Sequence, residues 1–285
     1  MKDFFRIIPW LEVKNSNLIK GINMEGLRTI GNPIDFAKEY YENNADEIIL
    51  YDVVASLYDQ KTMLPLISKV SENIFIPLVV SGGIRSIQDI RNVLRAGADR
   101  VCLNSVTFEK KNFVSEAVEI FGSSTISVNL QIMKLSDNKY YCYFNNGREK
   151  TGVELNYWIN YLIEQGAGEL IVSNIEKDGS MKGIDLGLIK YIKPKKKIPI
   201  IIHGGCNGSE HHISFDKSKI DGFAIASLFH YNLTKKRRFN SHNNEIGNFE
   251  YLQNKESIYF SNVGKKFLNL KDYKKQMSNF FNIRN

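Results

Sequence analysis

Ile76-Pro-Leu-Val-Val-Ser-Gly-Gly83 returns as Ile198-Pro-Ile-Ile-Ile-His-Gly-Gly205, an apolar run of strand length closed by two glycines, 122 positions later (83 to 205). The same shift carries Asn44-Ala-Asp-Glu-Ile-Ile-Leu-Tyr-Asp52 onto Gly166-Ala-Gly-Glu-Leu-Ile-Val-Ser-Asn174 (47 to 169) and Asn104-Ser105 onto Ala226-Ser227 (105 to 227). Three echoes in one register predict two copies of a (β/α)4 half fused into a single fold.

Outward from these echoes, strands are expected over 6–12, 47–52, 78–81, 100–103, 125–130, 169–173, 200–203 and 222–225. Helical spacing recurs between them, over 33–44, 61–72, 87–96, 112–121 and 155–165. Near-continuous apolar strands alternating with helices read as a parallel sheet covered on both faces, and eight of them as an α/β protein, a (β/α)8 TIM barrel. One domain is expected over 1–285, because separate halves would leave open sheet edges. Two stretches interrupt the alternation: 132–148, whose Tyr140, Tyr141, Tyr143 and Asn145-Asn-Gly147 suggest an inserted hairpin packed on its aromatics, and a polar insertion at 235–265 before a last helix near 270–281.

Bulk properties narrow the function classes. The 285 residues are 43% hydrophobic, enough for a large core, and the formal net charge of +7 is spread thinly apart from 193–197 and 235–238. Those runs read as solvated helix ends and loops, so nucleic acid is not the expected partner. Cys102, Cys142 and Cys206 show neither pairing nor a C-x-x-C spacing, as in a reducing compartment. Asp3, Arg6 and Glu12 interrupt the N-terminus, which lacks the apolar region of a secretory signal, and no run approaches the roughly 18–20 apolar residues of a membrane span. A cytoplasmic protein without a membrane partner or a cofactor is expected. The His211-His212 pair near Cys206 has no converging third ligand, so no metal site is expected.

In such barrels the residues just past the strands form the active face. Gly82, Gly83, Asn104 and Ser105 end strands three and four, and Gly204, Gly205, Ala226 and Ser227 end strands seven and eight. Glycine amides with a nearby hydroxyl suit a phosphate, and two such cradles across one mouth suit a ligand phosphorylated at both ends. Ser173 and Gly179 join the phosphate-binding set. The loop containing Lys177-Asp-Gly-Ser180 and Gly183 reads as a flexible cover for a ligand.

Arg6-Ile-Ile-Pro-Trp-Leu-Glu-Val-Lys14, Leu18-Ile-Lys-Gly21, Tyr51-Asp-Val-Val-Ala-Ser56, Ser81-Gly-Gly-Ile84, Gly97-Ala-Asp-Arg-Val101, Lys177-Asp-Gly179 and Ser227-Leu-Phe-His230, in this order, resemble the cyclase subunit family of imidazole glycerol phosphate synthase, from histidine biosynthesis. The resemblance implies a barrel that takes ammonia from a docked glutaminase, in a heterodimer, and uses it at the opposite face on a bisphosphorylated substrate. It places the family's two catalytic aspartates at Glu12 and Asn129, a mobile-loop lysine at Lys20, the ammonia gate at Arg6, Glu47, Arg100 and Glu169, and a glutaminase contact at Asp99. Glu12 keeps the charge one methylene further out; Asn129 has no proton to exchange near neutral pH. All four gate charges keep their signs. The family has a small hydroxyl residue where His203 stands, and this histidine either holds an anion or crowds the second cradle.

A sequence that keeps the entrance and the cradles while altering both acids suggests a divergent paralogue. The expectation is a barrel subunit of a glutamine-dependent amidotransferase that conducts ammonia toward a sugar amidotransferase modifying a bacterial surface sugar. The alternatives are a genuine cyclase that uses Glu12 with help from Asp178, and a non-catalytic scaffold for phosphorylated metabolites.

Overall fold

The computed structural model describes residues 4–55, 63–210, 215–236 and 267–284. In chain order its elements are β1 (Arg6–Lys14), β2 (Asn17–Ile22), β3 (Glu25–Gly31), α1 (Pro33–Glu42), β4 (Ile48–Asp52), α2 (Leu64–Ser71), β5 (Leu78–Ser81), α3 (Ile87–Arg95), β6 (Arg100–Leu103), α4 (Ser105–Glu109), α5 (Phe113–Phe121), β7 (Ile126–Lys134), β8 (Tyr140–Phe144), β9 (Glu149–Glu154), α6 (Leu155–Glu164), β10 (Glu169–Asn174), α7 (Leu186–Tyr191), β11 (Ile200–His203), β12 (Gly222–Ile225), α8 (Ser227–Lys236) and α9 (Leu270–Met277). Helix starts carry their own caps: the Asn32 side chain accepts from the Ile34 amide ahead of Pro33, and the Ser86 side chain accepts from that of Asp89.

Eight strands, β1, β4, β5, β6, β7, β10, β11 and β12, pair in parallel, and the sheet closes because β1 pairs with both β4 and β12. This is the (β/α)8 barrel the repeat predicts. Alternate side chains separate into two cores, as the period of two requires. Ile7, Leu11 and Val13 pack with the helices, whereas Ile8, Trp10, Ile49, Val79, Ile171 and Ile201 fill the lumen.

The repeat also extends into an element that the strand pattern misses. β1 continues antiparallel into β2 and β3, just as β7 continues into β8 and β9. Each half therefore opens with a three-stranded antiparallel excursion standing above the barrel. Its two-residue turns place Asn15-Ser16 and Asn23-Met24 at positive φ, the left-handed conformation such hairpin turns need, and the four-residue β8–β9 turn places Asn145, Asn146 and Gly147 there. The last helix ties down the opposite end, where the buried Lys274 Nζ donates to Asp46 Oδ1 at 2.9 Å and to the Asn44 carbonyl at 2.7 Å. The segment from 237 to 266, most of the expected polar insertion, lies outside the described residues, as do Ser56 and the His211-His212 pair.

Candidate functional site at the two ends of the barrel

Strand starts bring four charges to the floor. Arg6, Arg100 and Glu169 open β1, β6 and β10, and Glu47 immediately precedes β4. Arg6 Nη1 bonds Glu47 Oε2 at 3.0 Å and Arg6 Nη2 bonds Glu169; Arg100 Nη1 lies 3.7 Å from Glu47 and 3.4 Å from Glu169. The alternating signs form one ring, with each carboxylate touched by both guanidinium groups. Burial, opposed by the two arginines, pushes the Glu47 carboxyl up to about 7, and Glu47 Oε1 has no hydrogen-bond partner. Beside the ring, the exposed Asp99 accepts from the Leu78 amide through Oδ2 at 2.8 Å. Asp221 does the same for Ile200 in the other half, at 2.9 Å, so the carboxylate of Asp99 also fastens one strand to the next.

Above the ring the lumen is apolar up to Trp10, whose ring stacks on His203 (centroids 4.4 Å apart, planes 20° apart) and tilts against Tyr51 at 5.4 Å. The indole is 1% exposed and fills the cylinder beneath the mouth. Asn129, in β7, faces inward between Ser127 and Gln131. Its Oδ1 accepts from Ser173 Oγ at 2.8 Å, while its Nδ2 has no partner.

The mouth holds a second group of four. Lys20 Nζ donates to Glu12 Oε1 and Oε2 at 2.6 and 2.8 Å and to Asp178 Oδ1 and Oδ2 at 3.0 and 3.1 Å. His203 Nε2 lies 3.3 Å from Asp178 Oδ1, and its Nδ1 lies 3.0 Å from the Ala224 carbonyl. Both neighbours, the Asp178 carboxylate and the Ala224 carbonyl, are acceptors. Burial pushes the Glu12 carboxyl up to about 7, against the pull of Lys20 and with Asp178 adding to the rise. Asp178 is likewise buried, but Lys20 and His203 outweigh that burial and hold its carboxyl below the usual carboxylate range. Glu12, Asp178 and His203 offer ligand atoms within 4.8 Å of one another, a spacing that suits a metal ion, yet the Lys20 ammonium already serves as their cation.

Lys20 thus departs from expectation. It sits in strand β2, fully buried between two carboxylates, where the resemblance puts it in a mobile loop. The Lys177–Gly183 loop departs as well: Asp178 is 1% exposed, and a side chain at Gly179 would meet the Gly21 carbonyl at 2.2 Å. The two excursions close over this cluster. Asp178 accepts from the Met24 amide through Oδ2 at 3.2 Å and from the Asn23 amide through its carbonyl at 2.9 Å. Tyr51 Oη donates to Asn146 Oδ1 at 3.0 Å, and Asn146 Nδ2 donates to the Met24 carbonyl at 3.3 Å. Gln131 Nε2 donates to Tyr51 Oη at 3.0 Å, and its Oε1 accepts from the Gly147 amide at 2.8 Å. The sequence reading missed Trp10, Tyr51, Gln131 and Asn146; their partners lie far away along the chain.

The glycine pairs occupy matching places in the two halves. A side chain at Gly82 would meet the Asp52 carbonyl at 2.2 Å, and one at Gly204 would meet the Asn174 carbonyl at 2.8 Å. Gly82, Gly83, Asn104 and Ser105 line a 30 Å³ cavity; Gly179, Gly204, Gly205, Ala226 and Ser227 line one of 10 Å³ that His203 also walls. Each has room for about one or two waters. The two hollows differ in their hydroxyls. Ser105 Oγ is engaged by Asn145 of the β8–β9 turn at 3.1 Å, whereas the buried Ser227 Oγ has no partner. Ser173 lines neither hollow, being spent on Asn129. His203 thus stands in the wall of the second hollow, 3.3 Å from Asp178.

A family model described as Histidine biosynthesis protein matches residues 6–235. Over 227 residues, 79% of this chain and 90% of the relative, the sequence is 39% identical to "Imidazole glycerol phosphate synthase subunit HisF" of Bacillus cereus (strain Q1). The protein of that name from Streptococcus mutans serotype c (strain ATCC 700610 / UA159) is 36% identical over 227 residues. No helix among the described residues is long and apolar enough to cross a membrane.

Proposed function

The chain belongs to the histidine biosynthesis protein family, and from that premise we propose that it is the barrel subunit of a glutamine-dependent amidotransferase. It takes ammonia from a glutaminase partner at the Arg6–Glu47–Arg100–Glu169 floor and delivers it to an acceptor other than an imidazole ring closing at its own mouth. The acceptor class we propose is a bacterial surface sugar, whose acetamido group takes up the ammonia nitrogen and loses its carbonyl oxygen as water to become an acetamidino group on a sugar amidotransferase partner. Delivery is tied to displacement of Trp10, which stands in the path.

One observation carries the reading: the floor keeps four mutually paired charges, while the mouth has Glu12 clamped by Lys20 and an amide, Asn129, at the second acid position. An amide cannot shuttle protons near neutral pH, and losing one positioned acid or base typically costs about 10²–10⁴-fold in rate. Cradle two offers the unpartnered Ser227 hydroxyl to a phosphate, for which its hollow, the size of about one water, must open.

The test is co-purification with a glutaminase subunit, followed by the ratio of ammonia transferred to glutamine hydrolysed. Glu47→Lys, which breaks the alternation of signs, is expected to lower that ratio sharply while leaving use of external ammonium intact. An unchanged ratio contradicts the conduit. A second reading, a cyclase like the named relatives, draws on the Glu12 carboxyl, which titrates at about 7 and so suits general acid–base work.

A further inference from the structure

Outside the barrel, between the β7–β8 excursion and helix α7, lies a cavity of about 580 Å³, far larger than either cradle. Lys134 and Lys139 stand on one wall and Lys190 and Lys193 on the other. Lys134 Nζ lies over the Tyr140 ring at 5.9 Å, and among the described residues no carboxylate comes within ion-pair distance of any of the four ammonium groups.

Acids stand at the rim as well: Asp137 acts on Lys139 and Tyr191, and Glu176 acts on Tyr140. Glu154 Oε1 accepts from the Asn156 amide at 3.0 Å and from Tyr191 Oη at 2.7 Å, and its Oε2 accepts from the Tyr157 amide at 2.9 Å. Asp185 accepts from Tyr140 Oη at 2.8 Å, from Asn174 Nδ2 at 3.0 Å and from the Leu188 amide at 3.1 Å. The two tyrosines, 5.0 Å apart between centroids, are thereby fixed as a rigid base. Gly187 keeps the wall clear, since a side chain there would meet Tyr140 Oη at 3.2 Å.

Four ammonium groups face one hollow that a single carboxylate, Glu154, also lines, which leaves an excess of positive charge for an anion to offset. The volume falls in the range of small-molecule sites, about 300–1,000 Å³. Lysine is depleted in the cores of protein interfaces and suits phosphate as a point charge, which favours a small anion over a docked chain. We propose that this groove binds a small phosphate-bearing molecule with at least two negative charges, at a site separate from the cradles and independent of the ammonia reading.

Calorimetric titration of the full chain with inorganic pyrophosphate, and in a second arm with glucose 1-phosphate, tests it. The doubly reversed Lys134→Glu/Lys190→Glu chain, with its fold checked by an unchanged thermal midpoint, is expected to bind on the order of tenfold more weakly. Lys134→Arg/Lys190→Arg should stay within about threefold of the parent, and Lys38→Ala, on α1 away from the groove and the cradles, should leave binding unchanged. Tighter binding of glucose 1-phosphate than of pyrophosphate assigns a phosphorylated sugar, and the reverse order assigns the phosphates alone; both support the site. Binding of neither probe overturns the proposal. So does a loss that follows Ser227→Ala instead of the lysines, or tighter binding of a six-glutamate peptide lost on the same lysine variants.

Discussion

The floor and the mouth of this barrel use the same composition, two basic groups and two carboxylates in mutual contact, to opposite ends. At the floor the arginine side chains keep 20% and 29% of their exposure, each carboxylate meets two guanidinium groups, and one oxygen of Glu47 is left without a hydrogen bond. At the mouth Lys20 keeps none, Asp178 keeps 2%, and two turns close over them with further hydrogen bonds. A ring whose two guanidinium groups are partly exposed can yield to a small neutral molecule, because the second arginine stands in for the buried carboxylates when one contact opens. A sealed cluster has no such substitute, and its charges hold the excursions down.

Breaking each cluster in turn should expose the difference. Lys20→Met leaves Glu12 and Asp178 buried without their cation, and removing one partner of a buried pair costs about 3–5 kcal/mol. Denaturant unfolding should show a loss of that size. Arg6→Ala should cost less, about 1.5–3 kcal/mol, since the guanidinium groups are partly exposed and Arg100 remains within 3.4 Å of Glu169. If the two losses prove equal, the distinction between an open floor and a sealed mouth fails.

The pH dependence of stability sharpens the same contrast. Glu12 and Glu47 both titrate at about 7, above an ordinary value of 4.5, so the folded chain holds protons that the unfolded chain releases. Their contribution is full below pH 4.5 and is lost as the pH rises through about 7. Asp178 acts in the opposite sense: its contribution is present above an ordinary 3.8 and is lost as the pH falls below it, outside that window. Thermal midpoints should therefore fall between pH 4.5 and 7, and Glu12→Gln should flatten the slope. A slope unchanged by Glu12→Gln would show that the mouth carboxyl titrates normally. The smallest effect belongs to Ser227→Ala. Its hydroxyl bonds nothing, so unfolding free energy should move by less than about 0.5 kcal/mol while phosphate binding at cradle two weakens.

The parallel barrel was legible because each of its strands is an apolar run read independently of the others, and because the halves echo at one spacing. The floor ring was legible for the same reason: its members stand at the starts of those runs. The mouth was not. Nothing local to Leu18-Ile-Lys20 says that the ammonium is buried, since its partner Asp178 lies 158 residues away. The turn pairs Asn15-Ser16 and Asn23-Met24 were the available signal for β2 and β3, weaker than Asn145-Asn-Gly147 because neither brings a glycine. The pairing of His203 with Asp178 depends on barrel closure, which composition and periodicity do not encode.

The most direct measurement is ring closure itself: the purified chain, supplied with ammonium salts and the histidine-pathway substrate of the named relatives, followed for imidazole product. With an amide, Asn129, where the resemblance implies a second acid, and Glu12 held by Lys20, no turnover above the uncatalysed rate is expected. Sustained turnover would contradict the account and make the mouth, not the floor alone, a working site.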